Sequence, residues 1–266
     1  TNKGYQVHWL GSIKGIENEL VVDAGHQLYR ISISGLRGHG VLKLLLAPLQ
    51  LLKALWQTFK VYRAVKPVMS LGMGGFASGP GGLMAKLLRV PLVVHEQNAI
   101  AGMTNKILSS RANILLQAFG NTFKPRSNLH AVGNPVRSSI VEIQDPEVRL
   151  KGRADKINVL VVGGSLGAVA INNVLIEGMA SKALDINLWH QAGARNFDEV
   201  KQGYADVGVD NVKVSAFISN MSEAFAWADV LICRSGALTV SELMAAGVAS
   251  ILVPYPHAVD DHQTTN

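Results

Sequence analysis

One cysteine, Cys233, stands in 266 residues. That excludes a disulfide framework and a cysteine-built zinc site, and a lone thiol is ordinary in a reducing compartment. Long apolar runs are missing too. The richest stretch, Val41–Trp56, is broken by Lys43, Pro48, Gln50 and Lys53, short of the roughly 18–20 residues that cross a bilayer. The first residues lack the basic-then-apolar order of a secretory signal. Aromatic residues make up 6% and do not interleave with the basic ones, so a nucleic-acid partner is not expected. Acidic residues are scarce in one half only. Up to Ile140 there are sixteen Lys/Arg against four acids, and from Val141 nine against fifteen. The net +6 is therefore a +12 half followed by a −6 half, and the two are expected to meet different partners.

What is present is apolar. Hydrophobic residues reach 48% against 17% charged, with a mean hydropathy of +0.21, enough for a large core and unlike a disordered or fibrous chain. At about 150 residues per domain the length predicts two domains. Apolar periodicity lapses across Ser138–Lys156, which places the divide between a domain at 1–140 and one at 141–266. Short β-rich runs are read at Gln6–Leu10, Ile31–Ile33, Val68–Leu71, Leu92–His95 and Ile114–Gln117. In the second half they are Asn158–Val162, Asn187–Gln191, Lys213–Phe217, Val230–Cys233 and Ile251–Val253. Helical period separates most of them, at Leu42–Val65, Gly81–Leu88, Thr104–Ser110, Ala168–Lys182, Phe197–Tyr204, Ser219–Trp227 and Leu238–Ala246. This alternation predicts an α/β protein with parallel sheets: two doubly wound, Rossmann-like domains facing across a cleft. Lys3-Gly4 reads as the end of a helix, and Asn266 directly follows a polar loop. The first domain is thus expected to be incomplete at its start and the second at its end.

Glycines cluster where strands end. Gly72-Met-Gly-Gly-Phe-Ala-Ser-Gly-Pro-Gly-Gly82 leads into a helix, with Pro80 expected in its first turn. Gly72, Gly74 and Ala77 fit a loose dinucleotide fingerprint, with Glu96 as a ribose acid; tight strand–helix packing explains the glycines equally well. Gly163-Gly-Ser165-Leu-Gly-Ala168 repeats the strand–turn–helix context and offers the Ser165 hydroxyl to a phosphate, without the Gly-Lys-Ser/Thr ending of a P-loop. The most informative segment is Ala228–Glu242. A buried strand delivers Arg234 to a turn, Ser235-Gly236 open a helix, and the N–H groups of Ala237, Leu238 and Thr239 form an anion pocket. Glu242 lies one helical turn beyond Leu238, where a carboxylate can accept both hydroxyls of a ribose. A pyrophosphate beside a ribose is a nucleoside diphosphate; the bland alternative is an acid near a helix N-terminus and a surface arginine.

Gly72-Met-Gly-Gly-Phe-Ala-Ser-Gly-Pro, His95-Glu-Gln-Asn98-Ala-Ile-Ala-Gly, Gly133-Asn-Pro-Val-Arg137, Gly163-Gly-Ser-Leu-Gly-Ala and Arg234-Ser-Gly-Ala-Leu-Thr-Val-Ser-Glu242 occur in one order. In that combination, and over essentially the whole chain, the sequence closely resembles the MurG family of peptidoglycan glycosyltransferases, glycosyltransferase family 28. The resemblance implies the two-domain GT-B fold and an inverting transfer of N-acetylglucosamine. The donor is UDP-N-acetylglucosamine; the acceptor is undecaprenyl-pyrophosphoryl-N-acetylmuramyl pentapeptide (lipid I), which becomes lipid II. It implies no cofactor and no metal, and other cell-wall synthesis proteins as partners. The implied location is peripheral, on the cytoplasmic face of the bacterial inner membrane. By resemblance Ser165 and Ala237–Thr239 hold the diphosphate, with Arg234 stabilising its charge, Glu242 the ribose, and Ile218 and Met221 the uracil. Asn98 and Arg137 reach toward the donor, and His262, Gln263 and Asn266 meet the sugar. By composition alone His257, Asp260, Asp261 and His262 read as a weak metal candidate. Family members open with a strand and a Gly-Gly-Thr-Gly-Gly-His loop that this sequence lacks, and the favoured base is the histidine of that loop. The catalytic base is thus unassigned, His95 and Glu96 being assistants at most, and the chain as given is expected to be inactive.

The best membrane candidate is the segment from Gly38 to Lys66. Val41, Leu45, Leu49, Leu52 and Trp56 fall on one helical face, flanked by Lys43, Lys53, Lys60, Arg63 and Lys66. That suits shallow docking on an anionic leaflet; alternatively, the leucines face the sheet. Besides the enzyme, or a relative that glycosylates another lipid, two readings stay open: a truncated, non-catalytic UDP-sugar-binding module, and a nicotinamide-dependent oxidoreductase built on Gly72–Glu96.

Overall fold

The computed structural model describes residues 4–15, 17–34, 41–153, 156–163, 168–181, 185–209, 211–255 and 262–266. It resolves two compact units, residues 1–133 and 134–266.

In the first unit β1 (His8–Ser12) and β2 (Gln27–Ile31) pair in parallel, joined by α1 (Glu17–Asp23). A separate parallel sheet follows, in the order β3 (Ser70–Gly72), β4 (Leu92–Glu96), β5 (Ile114–Gln117), β6 (Leu129–Ala131). α2 (Val41–Val65), α3 (Gly75–Leu87) and α4 (Met103–Ser109) complete the unit, and α3 packs on β1 and β3 alike. The core gathers Tyr62, Met84, Leu92, Val94, Leu108 and Leu115. α3 starts a turn and a half before the position that Pro80 suggests in the sequence. Gly74 and Gly75, at φ of +83° and +75°, turn the chain there, a backbone only glycine takes without strain. Pro80 is consequently buried inside the helix instead of opening it. The later glycines serve packing. A Cβ on Gly82 would lie 2.7 Å from the buried Leu108 side chain, so its absence is what lets α3 approach α4.

α2 shows how one helix divides its faces. Ala54, Thr58 and Tyr62 recur every four residues and are buried, and the Tyr62 hydroxyl donates to the Gly81 carbonyl at 2.9 Å and lies 2.8 Å from Ser70 Oγ. Leu49 and Leu52 are 63% exposed and Trp56 57%, so these side chains do not face the sheet. Lys53 is exposed among them, and Lys60 Nζ sits 3.5 Å from the Trp56 ring. The side chains of Lys43 and Leu45 lie outside the described residues.

The second unit is one five-stranded parallel sheet. Its strands are β7 (Ile157–Val162), β8 (Ile186–Gln191), β9 (Val212–Ser215), β10 (Val230–Cys233) and β11 (Ala249–Leu252), in the order β11-β10-β7-β8-β9. The connecting helices are α7 (Val169–Ala180), α8 (Phe197–Asp206), α9 (Met221–Trp227) and α10 (Ala237–Ala246). β7 alternates between two cores. Leu160 joins Trp189, Phe225, Leu231 and Leu243 on one face, while Val159 and Val161 join Ile171, Leu188 and Tyr204 on the other. Two short helices, α5 (Ser138–Val141) and α6 (Pro146–Arg149), lie in the segment read from the sequence as a linker. α5 packs on α9 and α10. Arg149 donates to the Ala246 and Gly247 carbonyls (2.7 and 2.9 Å), and Arg153 to the Trp227 carbonyl (2.6 Å) and Asp229 (2.7 Å). These contacts draw residues 134–153 into the second unit, several residues ahead of the 140/141 divide read from composition.

A candidate nucleotide-binding cleft

From β7 the chain winds to one side of the sheet, through β8 and β9, then returns to place β10 on the other flank of β7. Connections leaving neighbouring strands in opposite directions open a crevice at the carboxyl ends of those strands, the usual ligand position in such folds. The second unit has a cavity of about 280 Å³ there. Val162 and Gln191 reach it from strand ends, Phe217–Ser219 and Met221 from beyond β9, Thr239 and Glu242 from α10, and Arg137 from the segment before α5.

Five of the residues singled out in the sequence meet in this cavity: Arg137, Ile218, Met221, Thr239 and Glu242. The β10–α10 turn supplies the anion end. Gly236 caps α10 with no side-chain hydrogen bond, so the first-turn N–H groups of Ala237, Leu238 and Thr239 have no side-chain cap, and the helix dipole adds partial positive charge. Arg137 and Glu242 pair directly, Nε to Oε1 at 2.7 Å and Nη2 to Oε2 at 2.9 Å. The hydrogen bond to Glu242 raises the Arg137 guanidinium above its usual pKa. This bidentate bond was not foreseen when each residue was assigned to the donor separately. A carboxylate offers about four acceptor sites, so Glu242 keeps capacity for a vicinal diol beside Arg137.

Two of the three sugar candidates come to the same turn. In α11 (His262–Thr265) and just after it, the Gln263 carbonyl accepts from Ser235 Oγ at 2.6 Å, and Asn266 Nδ2 donates to the Ser235 carbonyl at 3.2 Å. Gln263 Oε1 accepts the Tyr255 N–H at 2.9 Å. Ser165 and the side chain of His262 lie outside the described residues, as do His257, Asp260 and Asp261. Arg234, assigned by resemblance to the diphosphate, contacts the chain after β11. Its guanidinium donates to the Val253 and Pro254 carbonyls (3.3 and 2.9 Å) and lies over the Tyr255 ring. A fork of five donors suits carbonyl oxygens as well as phosphate, and here it orders the chain after β11.

In the first unit His95, Glu96 and Asn98 are occupied in building a loop. Glu96 is buried, and its Oε1 accepts from Asn98 N and Nδ2 at 3.0 and 3.1 Å. Its Oε2 accepts from Gly102 N and Asn105 Nδ2, at 3.1 and 2.8 Å. With both oxygens engaged inside the fold, Glu96 is not a ribose acid, which removes the ground for a nicotinamide site. His95 Nε2 lies 3.0 Å from the Gly133 carbonyl and Nδ1 3.1 Å from Gln97 Nε2, so both ring nitrogens have protein partners. Among the described residues no group of three His, Cys, Asp or Glu side chains is placed to hold a metal. Cys233 is buried, and burial pushes its thiol up to about 12, which keeps it unreactive.

Gln191, Phe217 and Ser219 line the cavity without having been singled out in the sequence. The one available signal was position: Gln191 is a polar residue at the carboxyl end of a buried strand.

Comparison with known proteins bears on this site. Residues 1–116 match the glycosyltransferase family 28 N-terminal domain and residues 158–266 its C-terminal domain. A curated relative from Pseudomonas syringae pv. syringae is 51% identical over 99% of this chain. The chain belongs to glycosyltransferase family 28. That relative, like one from Marinobacter nauticus that is 50% identical, is named UDP-N-acetylglucosamine–N-acetylmuramyl-(pentapeptide) pyrophosphoryl-undecaprenol N-acetylglucosamine transferase. The chain spans 73–74% of their length. Among solved structures, Acinetobacter baumannii MurG superposes with a TM-score of 0.83 at 39% identity, covering 99% of this chain and 74% of that one. The family 28 assignment agrees with the GT-B fold that the sequence resemblance implies, and the parallel sheets with the strand and helix pattern.

Proposed function

We propose that this family 28 chain is an N-acetylglucosaminyltransferase of peptidoglycan synthesis, moving N-acetylglucosamine from UDP-N-acetylglucosamine to lipid I to form lipid II. The observation that carries the reading is the meeting, in one cleft, of an N-terminal helix turn for a diphosphate, Glu242 for a ribose and the Ile218 segment for a base. Relatives at 50–51% identity whose names state this reaction support it. A single displacement at the anomeric carbon inverts its configuration: the acceptor hydroxyl gives its proton to a general base and bonds to the anomeric carbon as the bond to UDP breaks. The first turn of α10 lowers the barrier by stabilising charge that develops on the departing diphosphate. No covalent nucleophile is required.

The basic first unit is the membrane- and acceptor-facing one in this reading, and association is peripheral, at the cytoplasmic face of the inner membrane. The exposed Leu49, Leu52 and Trp56 with their lysines support that, and among the described residues no helix is long and apolar enough to cross a membrane.

Calorimetric titration with UDP-N-acetylglucosamine, UDP, inorganic pyrophosphate and NAD tests the donor half. UDP-N-acetylglucosamine and UDP are expected to bind and NAD not to; binding of NAD without UDP overturns the reading. Glu242→Ala is expected to weaken UDP about tenfold or more while leaving pyrophosphate, which has no ribose, nearly unchanged, since hydrogen bonds to charged groups contribute roughly 1.5–3 kcal/mol. Equal losses for both ligands would remove the ribose assignment. Transfer of labelled sugar from UDP-N-acetylglucosamine to a lipid I analogue and to other polyprenyl-pyrophosphoryl sugars then distinguishes acceptors.

A further inference from the structure

Gln191 ends β8, is buried and faces the cleft. Its two carbonyl oxygens do different jobs. The side-chain Oε1 accepts the N–H of Ile218 at 3.1 Å, from 27 residues further along the chain. The backbone oxygen accepts the N–H of Gly163 at 3.4 Å, where the chain leaves β7 for the glycine-rich turn. One residue thus ties the segment assigned to the base and the start of the turn assigned to the phosphates to a single strand end. Phe217–Ser219 has no ladder of its own to hold it, since β9 ends at Ser215. A buried N–H without an acceptor is costly, so the Gln191 carboxamide decides where the Phe217–Ile218 peptide sits and how its backbone groups are presented to a ligand.

We propose that Gln191 is a positioning residue for nucleobase selection: it sets the backbone of Phe217–Ser219 against the pyrimidine edge, while its main chain independently holds Gly163 at the end of β7. The inference rests on the UDP-sugar reading of this cleft. It separates the two ends of the ligand, because a side-chain substitution removes the bond to Ile218 and leaves the backbone bond to Gly163 in place.

The test uses the whole chain and titrates UDP, CDP and inorganic pyrophosphate into wild type, Gln191→Leu, Gln191→Met and Gln191→Glu. Leucine and methionine fill similar volume without an oxygen, whereas glutamate retains one that can accept from Ile218. Gln191→Leu and Gln191→Met are expected to bind UDP about tenfold more weakly, to lose most of the preference for UDP over CDP, and to bind pyrophosphate as wild type does. Gln191→Glu is expected to recover most of the UDP affinity and the preference. Wild-type UDP affinity and base preference in the Leu and Met variants overturn the proposal. Equal loss of UDP and pyrophosphate also overturns it, since that marks collapse of the cleft. Should the apolar variants fail to fold, Gln191→Glu and Gln191→His decide: both retain an acceptor, and a loss of base preference in both would count against the role. A wild-type chain that binds no UDP at all instead refutes the reading of the cleft, a result distinguishable from failure of the Gln191 inference.

Discussion

A buried histidine next to Gln191 on β8 gives the clearest pH signature among the described residues. His190 on β8 is fully buried, with Nδ1 2.9 Å from the Tyr204 hydroxyl and Nε2 3.0 Å from Asn172 Oδ1. An amide oxygen only accepts, so Nε2 carries the proton and Nδ1 accepts from tyrosine, which describes a neutral ring. Burial depresses its pKa to about 4, from an ordinary 6.5. Above pH 6.5 the ring is neutral whether the chain is folded or not, and stability does not depend on it. Between 6.5 and about 4 the unfolded chain takes up a proton that the folded one refuses, so stability falls as pH falls. The full loss attributable to this group is about 3 kcal/mol. Urea unfolding at pH 7.5, 6 and 5 should show a declining midpoint, and the His190 ring resonances should stay in their neutral positions at pH 5. A ring that titrates near 6.5 in the folded protein contradicts this. At the same scale, the parts of the site legible in the sequence were those built locally: Ala237–Glu242 is a strand–turn–helix whose spacing alone places N–H groups and a carboxylate. Gln191 was illegible because its role lies in a bond to a residue 27 positions away. Glu96 was misleading because a carboxylate that braces a loop and one that binds a ribose look alike until their partners are known.

Elements show the same division. Periodicity placed β7, β8 and β10 within a residue of their observed ends; β10 and most of β7 read as continuous apolar runs, and β8 carries its apolar Leu188-Trp189 pair between polar residues. It missed α1, β6, α5 and α6, which are three to seven residues long and depend on tertiary partners such as the arginine clasps on α9 and α10. For α2 it recognised an apolar stripe but could not tell which apolar stripe was buried. The helix has two, and small or polar-tipped residues (Ala54, Thr58, Tyr62) make the inner one. The outer stripe then has a testable use. Replacing Leu52 and Trp56 together by aspartate is expected to reduce binding to vesicles of 30% phosphatidylglycerol by at least tenfold. Each side chain forfeits roughly 1.5–3 kcal/mol of apolar burial, and the new charges repel the anionic surface. The thermal midpoint should hold within a few degrees, because neither side chain contributes to the core. Undiminished vesicle binding in a folded variant would remove α2 from the membrane face.

At the scale of the whole molecule the two units differ in charge. Up to Ile140 the chain carries +12 and from Val141 onward −6, so the field of the first half attracts an anionic surface that the second half repels. The exposed Leu49, Leu52 and Trp56 belong to the basic unit, so docking on a membrane combines an electrostatic share that salt removes with an apolar share that salt does not weaken. The Debye length falls from about 10 Å at 0.1 M to 3 Å at 1 M. Binding to vesicles containing phosphatidylglycerol is therefore expected to weaken severalfold over that range without vanishing, because the apolar stripe of α2 still inserts. Binding that salt leaves unchanged would show that the +12 plays no part in docking, and binding that salt abolishes would show that the stripe adds nothing to it.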